Sequence, residues 1–530
     1  MTDEIEPTPQ LLEDFPAATE AQWREAAEQL LKGAPFDKVM RRHTPEGITL
    51  GPIFHRDALE RLPAARTYPG FDGFTRGTRA GGYRTAPWVI AQEIPVGMPR
   101  EFNRVLREDL NRGQNALNVI FDIATARGAD PDNAAVGEVG ACGLSMASLE
   151  DMRTAFEGIH PEAVEFHLRG GCSALPVAAI FFAWLEETGF DRRKVSGSFG
   201  MDPLATKAAA GVVPASDDDL FREQALLAEF CIREAPGLRS VGVTTVPYHQ
   251  AGASSVEELG IALATGAAYL RELTERGIAV DDAAGQMRFS IAVGRNFFME
   301  IAKIRALRPL WARVVEAFGG GHEARKLRLH ARTGLYNKTR KDPYVNLLRT
   351  TTEALAAVIG GVDSLCVGAF DETTRLPNAF SRRIARNTQI ILDEECGLGE
   401  VADPGGGAWA VESLTDEICR HAWRFFQEIE EVGGMAAALR KGFIQERIQS
   451  TAGEKANRLN QRRDKLVGTN SYADAHEKPL ESAAPDYAEM HSLRARDIAN
   501  LRTEGDETVD ADRLRRLADI LEARPDQQVG

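Results

Sequence analysis

The sequence lacks several patterns that would assign a protein to a class directly. Its six cysteines show no Cys-x-x-Cys pair or other metal-site spacing, and the first residues, MTDEIEPTPQLLEDFP, lack the basic start and apolar core of a signal peptide. No apolar run reaches the ~18 residues that a membrane-spanning helix needs. These absences predict a soluble, cytoplasmic chain with free thiols, no metal site and no membrane span.

Positive charge is also scarce. The 530 residues include 78 Asp and Glu against 63 Lys and Arg, which gives a formal net charge of −15. Nucleic acids and anionic membranes bind basic surfaces, so this balance argues against either as the main partner. With 43% hydrophobic residues, the chain is long enough for one large domain with smaller attachments and an enclosed active site.

Three segments follow from the pattern along the chain. Residues 1–60 contain one amphipathic helix, EAQWREAAEQLLKG, which ends at Gly33, and we assign this N-terminal helical arm to subunit contact. Residues 61–435 alternate short apolar runs with segments long enough for a helix. Residues 436–530 are polar and charged, which predicts a C-terminal helical linker and tail.

The middle segment predicts an α/β fold with parallel strands. Its strand-like runs are ALNVIFDIAT, AVEFHLRG, KVSGSFG, SVGVTTVPYH, RFSIAVG, KLRLHARTG and DSLCVGAF, with a weaker eighth near VADPGGGAWAVE. Alternation with helices implies crossover connections, and continuous apolarity implies a sheet covered on both faces. Eight strands favour a (β/α)8 TIM barrel over a doubly wound sheet, which periodicity alone does not exclude.

The stretch VPYHQAGA, residues 246–253, follows one strand-like run and precedes a helix-like segment, so we expect a loop there. In a barrel, catalytic groups lie at the carboxyl ends of the strands, which is where this stretch falls. His249 therefore has two interpretations: a catalytic histidine, or a packed histidine whose ring is hydrogen-bonded at a strand end.

Longer motifs resemble one enzyme family. In chain order they are YRTAPWVIAQ, VIFDIATARGADPD, EVGACGLSMASLEDM, YHQAGA, NFFMEIAKIRALRPLWARVV, DPYVNLLRTTTEALAAVIGGVDSL, LPNAFSRRIARNTQIILDEE and DPGGGAWAVESLTDEI. From about residue 60 to residue 470, the chain resembles the barrel domain of methylmalonyl-CoA mutases and related adenosylcobalamin-dependent acyl-CoA mutases. Residues 15–54 look like the arm of the family's small, or beta, subunits.

The resemblance implies a barrel that binds an acyl-CoA thioester along its axis. It also implies that a radical derived from cobalamin rearranges the carbon skeleton of the acyl group. A radical needs a dry cavity with few proton donors, so we expect a barrel filled mainly by small and apolar side chains.

The resemblance also implies roles for individual residues. By position, His249 hydrogen-bonds the thioester carbonyl and Tyr83 lies beside the substrate, so both are catalytic candidates. A neutral imidazole N–H can polarise that carbonyl when a carboxylate or backbone group sets its tautomer. Tyr83 has the alternative of a core tyrosine whose hydroxyl binds backbone. The candidates for substrate binding are Tyr248, Gln250, Arg332 and Arg84.

Several positions depart from the family pattern. The family's arginine before Pro-Trp, glutamine on the third strand, glutamine on the sixth strand, and histidine and asparagine on the seventh are replaced here by Ala86, Gly200, Arg332, Cys366 and Gly368. Such replacements remove much of the hydrogen bonding that would hold cofactor and substrate. In a chain that remained catalytic, Arg332 would instead pair with the carboxylate of a different acyl group.

The cofactor presents a further departure. The family's cobalamin-binding domain carries Asp-x-His-x-x-Gly, whereas this chain has DAHEKP at residues 474–479, without the glycine. The 54 residues after His476 are polar and fewer than the roughly 100 of a doubly wound domain. We therefore expect a partner chain to hold adenosylcobalamin, and no cofactor-binding residue is assigned in this one.

Three hypotheses follow for the function. In the first, the chain is the small subunit of a heteromer that interconverts methylmalonyl-CoA and succinyl-CoA, and it supports a cobalamin-bearing catalytic chain. In the second, it is the catalytic, acyl-CoA-binding barrel of a split mutase whose cobalamin sits on a separate small subunit. In the third, it is a noncatalytic scaffold of a mutase complex, because barrel architecture does not prove catalysis.

Overall fold

A computed structural model describes residues 18–60, 62, 67–482 and 484–504 of the chain. The expectations for residues 1–17 of the arm and residues 505–530 of the tail lie outside these ranges.

The described residues form ten β-strands and nineteen α-helices. The strands are β1 Arg42–His43, β2 Thr49–Leu50, β3 Val89–Ile90, β4 Ala116–Ile120, β5 Glu165–Arg169, β6 Gly197–Met201, β7 Leu238–Thr244, β8 Met287–Val293, β9 Leu329–Thr333 and β10 Ser364–Cys366. The helices are α1 Glu20–Leu30, α2 Phe36–Met40, α3 Asp57–Glu60, α4 Pro99–Leu110, α5 Ile123–Ala126, α6 Leu149–Ala155, α7 Ala174–Thr188, α8 Pro203–Ala210, α9 Asp217–Glu234, α10 Val246–Gln250, α11 Ser255–Glu275, α12 Val280–Gly285, α13 Phe297–Ala317, α14 Val345–Gly360, α15 Ala379–Ile390, α16 Trp409–Glu431, α17 Met435–Arg440, α18 Phe443–Asn460 and α19 Tyr487–Glu504.

Strands β3 to β10 form one parallel sheet in the order β3-β10-β9-β8-β7-β6-β5-β4. A bridge between Glu93 and Asn118 joins the two ends of this order. The Asn118 side-chain amide also donates to the Ala91 carbonyl at 3.0 Å across the same seam. The sheet therefore closes, and the expected (β/α)8 barrel is confirmed.

The eighth strand does not lie where the sequence pattern predicted it. The segment VADPGGGAWAVE forms turns that lead into α16, and the eighth strand is instead the two-residue β3. Backbone hydrogen bonds from Val89 to Asp363 at 2.9 Å and from Ala91 to Leu365 at 3.0 Å hold β3 in the sheet. Two residues are too few for a periodicity signal, which explains the error.

The helices around the barrel follow the predicted segments, and local signals set their ends. A capping box begins α11: the Glu257 N–H donates to the Ser254 hydroxyl at 3.3 Å, and the Ser254 N–H donates to the Glu257 carboxylate at 2.8 Å. Helix α7 ends at Gly189, whose φ of 75° is the left-handed conformation that glycine adopts without strain. Helices α11 and α13 are buried along most of their length, which matches their apolar composition.

The stretch that we expected to be a loop is helical. Val246–Gln250 forms the short helix α10 directly after β7, with Pro247 in its first turn. Proline is favoured there because its fixed φ suits a helix and its missing N–H needs no partner. The helix turns Tyr248 and His249 inward, and both are buried.

The arm and the tail pack on the barrel. Ile48 of the arm and Ile444 and Ile448 of α18 belong to the same buried cluster as the strands β7 to β10. The Arg494 guanidinium of α19 donates to Asp151 at 2.6 Å at the edge of the barrel. The compositional changes near residues 60 and 435 therefore do not separate independent cores.

Two further expectations concern cysteines and membranes. All six cysteines are free, as expected. Among the residues that the structure describes, no helix has both the length and the apolarity to cross a bilayer.

Close helix packing predicts a stability difference between two helical glycines. A Cβ added to Gly266 of α11 would lie 2.6 Å from the Trp311 ring of α13, whereas one added to Gly285 of α12 would meet nothing within 4 Å. We expect Gly266→Ala to lower the free energy of unfolding by about 1–3 kcal/mol through overpacking. The control, Gly285→Ala, should raise it by about 0.4–1 kcal/mol because the unfolded chain loses freedom. Urea unfolding of both variants measures the difference, and equal effects would contradict this packing.

Candidate functional site

Polar side chains of two groups of neighbouring strands, β8 to β10 and β5 to β6, are buried inside the barrel. Ser364 of β10 accepts a hydrogen bond from the Arg288 guanidinium at 2.9 Å, and its hydroxyl lies 2.9 Å from Nδ1 of His330. On the opposite side, Nδ1 of His167 lies 3.0 Å from the Ser198 hydroxyl. All five side chains are buried. The interior thus includes buried, hydrogen-bonded polar groups in addition to the small side chains that we expected, such as Gly200 and Gly242.

Burial decides the charge of this layer. It lowers the pKa of His167 to about 4, an effect that the nearby Arg288 adds to. The pKa of His330 is lowered well below its usual value by the same causes. Burial also lowers the pKa of Arg288 to about 9. At pH 7 the layer therefore holds two neutral imidazoles around one guanidinium.

Four charged side chains form an ion-pair cluster at the carboxyl end of the barrel, which we call the mouth cluster. The Arg332 guanidinium donates to Glu93 at 2.9 Å and to Glu372 at 2.7 Å. Arg169 donates to the other oxygen of Glu93. The cluster links the ends of β3, β5 and β9 with the segment after β10.

The electrostatics of the mouth cluster follow from burial and pairing. Burial disfavours the charge on Glu93, but Arg332 and Arg169 outweigh it and lower the pKa of this carboxyl. Burial likewise opposes the charge on Arg332, yet Glu372 and Glu93 raise its pKa. For Glu372, whose one ion pair among the described residues is with Arg332, burial prevails and raises the pKa. Arg332 therefore already has two carboxylate partners, and a substrate carboxylate would have to displace one.

Two cavities lie beside the mouth cluster. One of about 460 Å³ is lined by Arg288 and Arg169 and by the hydroxyl residues Ser198, Thr244 and Ser290. The other, of about 240 Å³, is lined by Glu93, Arg332, Glu372, Cys366 and Gly368. Members of the mouth cluster thus line both spaces.

His249 lies in α10 beside a buried charge cluster. Its Nδ1 is 3.3 Å from Glu258, whose other oxygen accepts from the Thr245 hydroxyl at 2.7 Å. Lys303, fully buried, pairs with Glu258 at 2.7 Å and with Glu300 at 2.6 Å. Nε2 of His249 is buried and has no partner among the described residues. Glu258 is thus a carboxylate within hydrogen-bonding distance of Nδ1 and can set the tautomer of this ring.

The pKa shifts of Glu258 and Lys303 favour the charged form of both side chains. Burial opposes the charge on Glu258, but Lys303 and the hydrogen bond to His249 outweigh it and lower the pKa of the carboxyl. Burial also opposes the charge on Lys303, yet Glu258 and Glu300 raise its pKa to about 12. The cluster is thus a buried, compensated set of charges beside the imidazole.

Tyr83 and Arg84 lie at the opposite end of the barrel from His249. The Tyr83 hydroxyl donates to the Val362 carbonyl at 2.7 Å, just before β10 begins, and burial raises its pKa. Arg84 is exposed on the same turn. The structure therefore does not bring Tyr83 together with His249, because residues 82–88 precede β3 and approach the barrel from its amino end. The contact that Tyr83 makes is the backbone hydrogen bond of the alternative interpretation.

The two neighbours of His249 face in other directions. Tyr248 is buried and lines a cavity of about 480 Å³ between α8, α10 and α18, and its hydroxyl has no partner among the described residues. Gln250 is exposed at the rim of the same cavity. Arg332 belongs to the mouth cluster, so these candidates share the carboxyl end of the barrel without converging on one point.

Several charged residues of this site were not predicted from the sequence. Arg169, Arg288 and Lys303 lie within strand-like runs or a helix-like motif, whereas Glu93 directly follows YRTAPWVIAQ and Glu258 lies in the helix-like segment after VPYHQAGA. Arg169 and Arg288 carried a signal, because a charged residue inside a predicted core strand needs a partner. For Lys303 the signal was a lysine on the apolar helix NFFMEIAKIRALRPLW.

The described residues do not fit a role as the holder of adenosylcobalamin. His476, in the fragment that partly matches the cobalt-ligating motif, lies in an exposed turn where its backbone N–H binds Asp474 at 2.8 Å. At the barrel mouth, the positions of three expected polar contacts are occupied by Gly200, Cys366 and the ion-paired Arg332. Burial raises the pKa of the Cys366 thiol, so it remains a neutral, weak donor.

The buried, neutral His167 predicts a pH dependence of stability. As pH falls below about 6.5, the unfolded chain binds a proton that the folded chain takes up only near pH 4, so stability is lost on acidification. For one group, the loss is at most ~1.4 kcal/mol per pH unit. We expect His167→Gln to reduce the slope of the free energy of unfolding against pH, between pH 6.5 and 4. The reduction should correspond to up to about one bound proton.

The measurement is the free energy of unfolding in urea at pH 7, 6 and 5. The control for the loss of a histidine is His476→Gln, at an exposed position. An unchanged slope in His167→Gln would contradict a neutral His167 in the barrel.

The Glu258 and Lys303 pair predicts a stability effect with a defined sign. Lys303→Met leaves Glu258 buried without its cation, which should cost about 3–5 kcal/mol. The folded pKa of Glu258 then rises above its unfolded value, so the loss should be smaller at pH 4 than at pH 7. The double variant Lys303→Met, Glu258→Gln should recover part of the loss. Thermal and urea unfolding at both pH values test this, and a double variant no more stable than the single one would refute it.

Comparison with known proteins gives a consistent result. A family model for methylmalonyl-CoA mutase matches residues 43–529. The methylmalonyl-CoA mutase of Rhizobium meliloti (strain 1021) is 35% identical over 500 residues, which cover 94% of this chain and 70% of that protein. The enzyme of Cereibacter sphaeroides is 37% identical over 487 residues, which cover 92% and 68%. The human mitochondrial enzyme is 34% identical over 492 residues, which cover 92% and 65%.

The aligned part thus corresponds to about two thirds of the length of these relatives. The match includes every strand of the barrel, the mouth cluster and His249. The chain belongs to the methylmalonyl-CoA mutase family.

Proposed function

We propose that this chain is a small-subunit type of methylmalonyl-CoA mutase, a barrel that assembles with a cobalamin-bearing catalytic chain. The heteromer interconverts methylmalonyl-CoA and succinyl-CoA in the cytoplasm. The partner holds adenosylcobalamin and carries out the rearrangement, and this chain supports the assembly. The arm of residues 1–60 serves as a subunit contact.

The observation that carries this proposal is the set of buried polar contacts on the wall of the barrel formed by β8, β9 and β10. Arg288 donates to Ser364 and His330 lies against the same hydroxyl, beside a cavity of about 460 Å³ that Arg288 also lines. An acyl-CoA chain on the barrel axis would have to pass this guanidinium, and displacing it would break a buried hydrogen bond.

The mouth cluster supports the same conclusion. A radical reaction needs a cavity with few proton donors, because nearby donors quench the radical. Here two guanidinium groups and two carboxylates stand at the carboxyl end, where the reaction would take place. Arg169 and Arg332 are both ion-paired, so neither is a free cation for a substrate carboxylate.

The second candidate function is the catalytic barrel of a split mutase that acts on a different acyl-CoA. One observation favours it: Glu258 orients His249 through Nδ1, and Nε2 is buried without a partner. Such a ring can donate to a thioester carbonyl. The ion pairs of Arg332 count against this candidate, because that residue was its proposed contact for the acyl carboxylate.

Activity assays on the purified chain and complex separate the two candidates. With adenosylcobalamin and methylmalonyl-CoA, the isolated chain should form no succinyl-CoA, whereas the complex with a full-length cobalamin-bearing chain should. In that complex, we expect His249→Gln to leave kcat within about twofold of the wild-type value, because an imidazole that donates in the transition state contributes ~10²-fold or more.

Turnover by this chain with only a small cobalamin-binding domain would refute the small-subunit proposal and support the split mutase. A loss of kcat of about tenfold or more in His249→Gln, with an unchanged melting temperature, would do the same. A partner that was stable and fully active alone would leave only the scaffold hypothesis.

A further inference from the structure

A basic cavity lies where the barrel rim, the arm and the tail meet. Its volume is about 450 Å³, within the ~300–1,000 Å³ range of small-molecule sites. The arm contributes the end of β1, the barrel contributes the segments after β7, β8 and β9, and the tail contributes α18 and the turn after it. Its cationic residues come from all three parts and are Arg42, Arg295, Lys455, Arg458, Arg463 and Lys465.

The charge of this cavity is opposite to that of the whole chain. Six cations face three carboxylates, Glu46, Glu300 and Asp464, in a protein whose formal net charge is −15. Clustering of like charges on separate segments is unfavourable in the absence of an anion. The arrangement therefore needs a cause other than the composition.

Two of the three carboxylates of the cavity have partners, whereas one oxygen of Glu46 is buried without one among the described residues. Asp464 accepts from Arg458 at 2.8 Å and from Arg295 at 3.1 Å. Glu300 pairs with Lys303 at 2.6 Å, below the cavity floor. Within the described ranges, Arg42, Arg463 and Lys465 have no carboxylate within 4.0 Å. Three rim cations are thus available to a ligand.

The floor of the cavity carries groups suited to the rest of such a ligand. Lys455 donates to the Gly252 and Ala253 carbonyls at 2.9 Å each, and its Nζ lies 5.4 Å from the centre of the Tyr336 ring. The Tyr336 side chain is 37% exposed, so part of its ring is free to stack. His249 forms another part of the wall.

We propose that this cavity binds a small anion with a diphosphate group, of the size of a nucleoside diphosphate. Guanidinium and ammonium groups that converge from separate segments suit phosphate oxygens, which accept several charge-assisted hydrogen bonds at once. The diphosphate lies among Arg42, Arg463 and Lys465, and an attached ring lies against Tyr336. The proposal goes beyond the mutase function and does not depend on it.

Binding has a structural consequence that follows from the position of the cavity. The ligand contacts the arm, the barrel and the tail simultaneously, so it joins two attachments to the barrel. A ligand that binds only this folded arrangement raises the stability of the chain in proportion to its free concentration.

The experiment is isothermal titration calorimetry of the full-length chain with inorganic pyrophosphate and with ADP, at low and at physiological salt. We expect binding that weakens as salt rises. The charge-reversed variant Arg463→Glu, Lys465→Glu should raise Kd by about tenfold or more. Both residues are exposed, so the fold should persist, and the melting temperature without ligand checks this.

The matched control is Arg100→Glu, Arg424→Glu, which reverses the same number of charges at exposed positions outside the cavity. We expect its Kd to stay within about twofold of the wild-type value. Tighter binding of ADP than of pyrophosphate identifies a nucleotide as the ligand, and equal binding identifies the diphosphate alone. The proposal is overturned if neither compound binds at millimolar concentration, or if the control weakens binding as much as the cavity variant.

Discussion

Glu93 connects the closure of the barrel with the chemistry of its mouth. Its bridge to Asn118 joins the first and last strands of the sheet order. Its carboxylate also accepts from Arg169 of β5 and Arg332 of β9, so one side chain ties together the ends of strands that are distant in sequence. Because β3 has only two residues, few backbone hydrogen bonds hold it in the sheet. These side-chain contacts add to them. The residue that closes the barrel therefore also holds charged groups at its carboxyl end.

Buried polar groups also lie deeper along the barrel axis. Below the mouth cluster, Arg288 has no carboxylate within 4.0 Å among the described residues, and it donates to Ser364 near the neutral rings of His167 and His330. These contacts order side chains of the interior, although Nε2 of His330 is buried without a partner among the described residues. A thioester would have to be accommodated beside these polar groups.

The outer part of the carboxyl end has a different character. Around His249, Lys303 with Glu258 and Glu300 forms a compensated set of charges below the floor. Above it, the arm and the tail bring five cations against the two carboxylates Glu46 and Asp464. The ion-paired mouth and the basic cavity are thus distinct parts of the carboxyl end. The first fits a barrel without its own catalysis, and the second fits a ligand that joins the attachments to the barrel.

Composition and periodicity sufficed to predict the class of fold, seven of the eight barrel strands and the surrounding helices, because those features arise from local apolar patterns. They also predicted that VPYHQAGA lies at the carboxyl end of a strand. The two-residue β3 carried no such pattern, and its place in the barrel depends on partners such as Asp363 and Leu365. Likewise, Tyr83 and His249 looked like a pair in the sequence, yet they occupy opposite ends of the barrel. Only the tertiary structure decided which charges meet, because ion pairs such as Glu93 with Arg332 join residues far apart in the chain, where spacing has no signal.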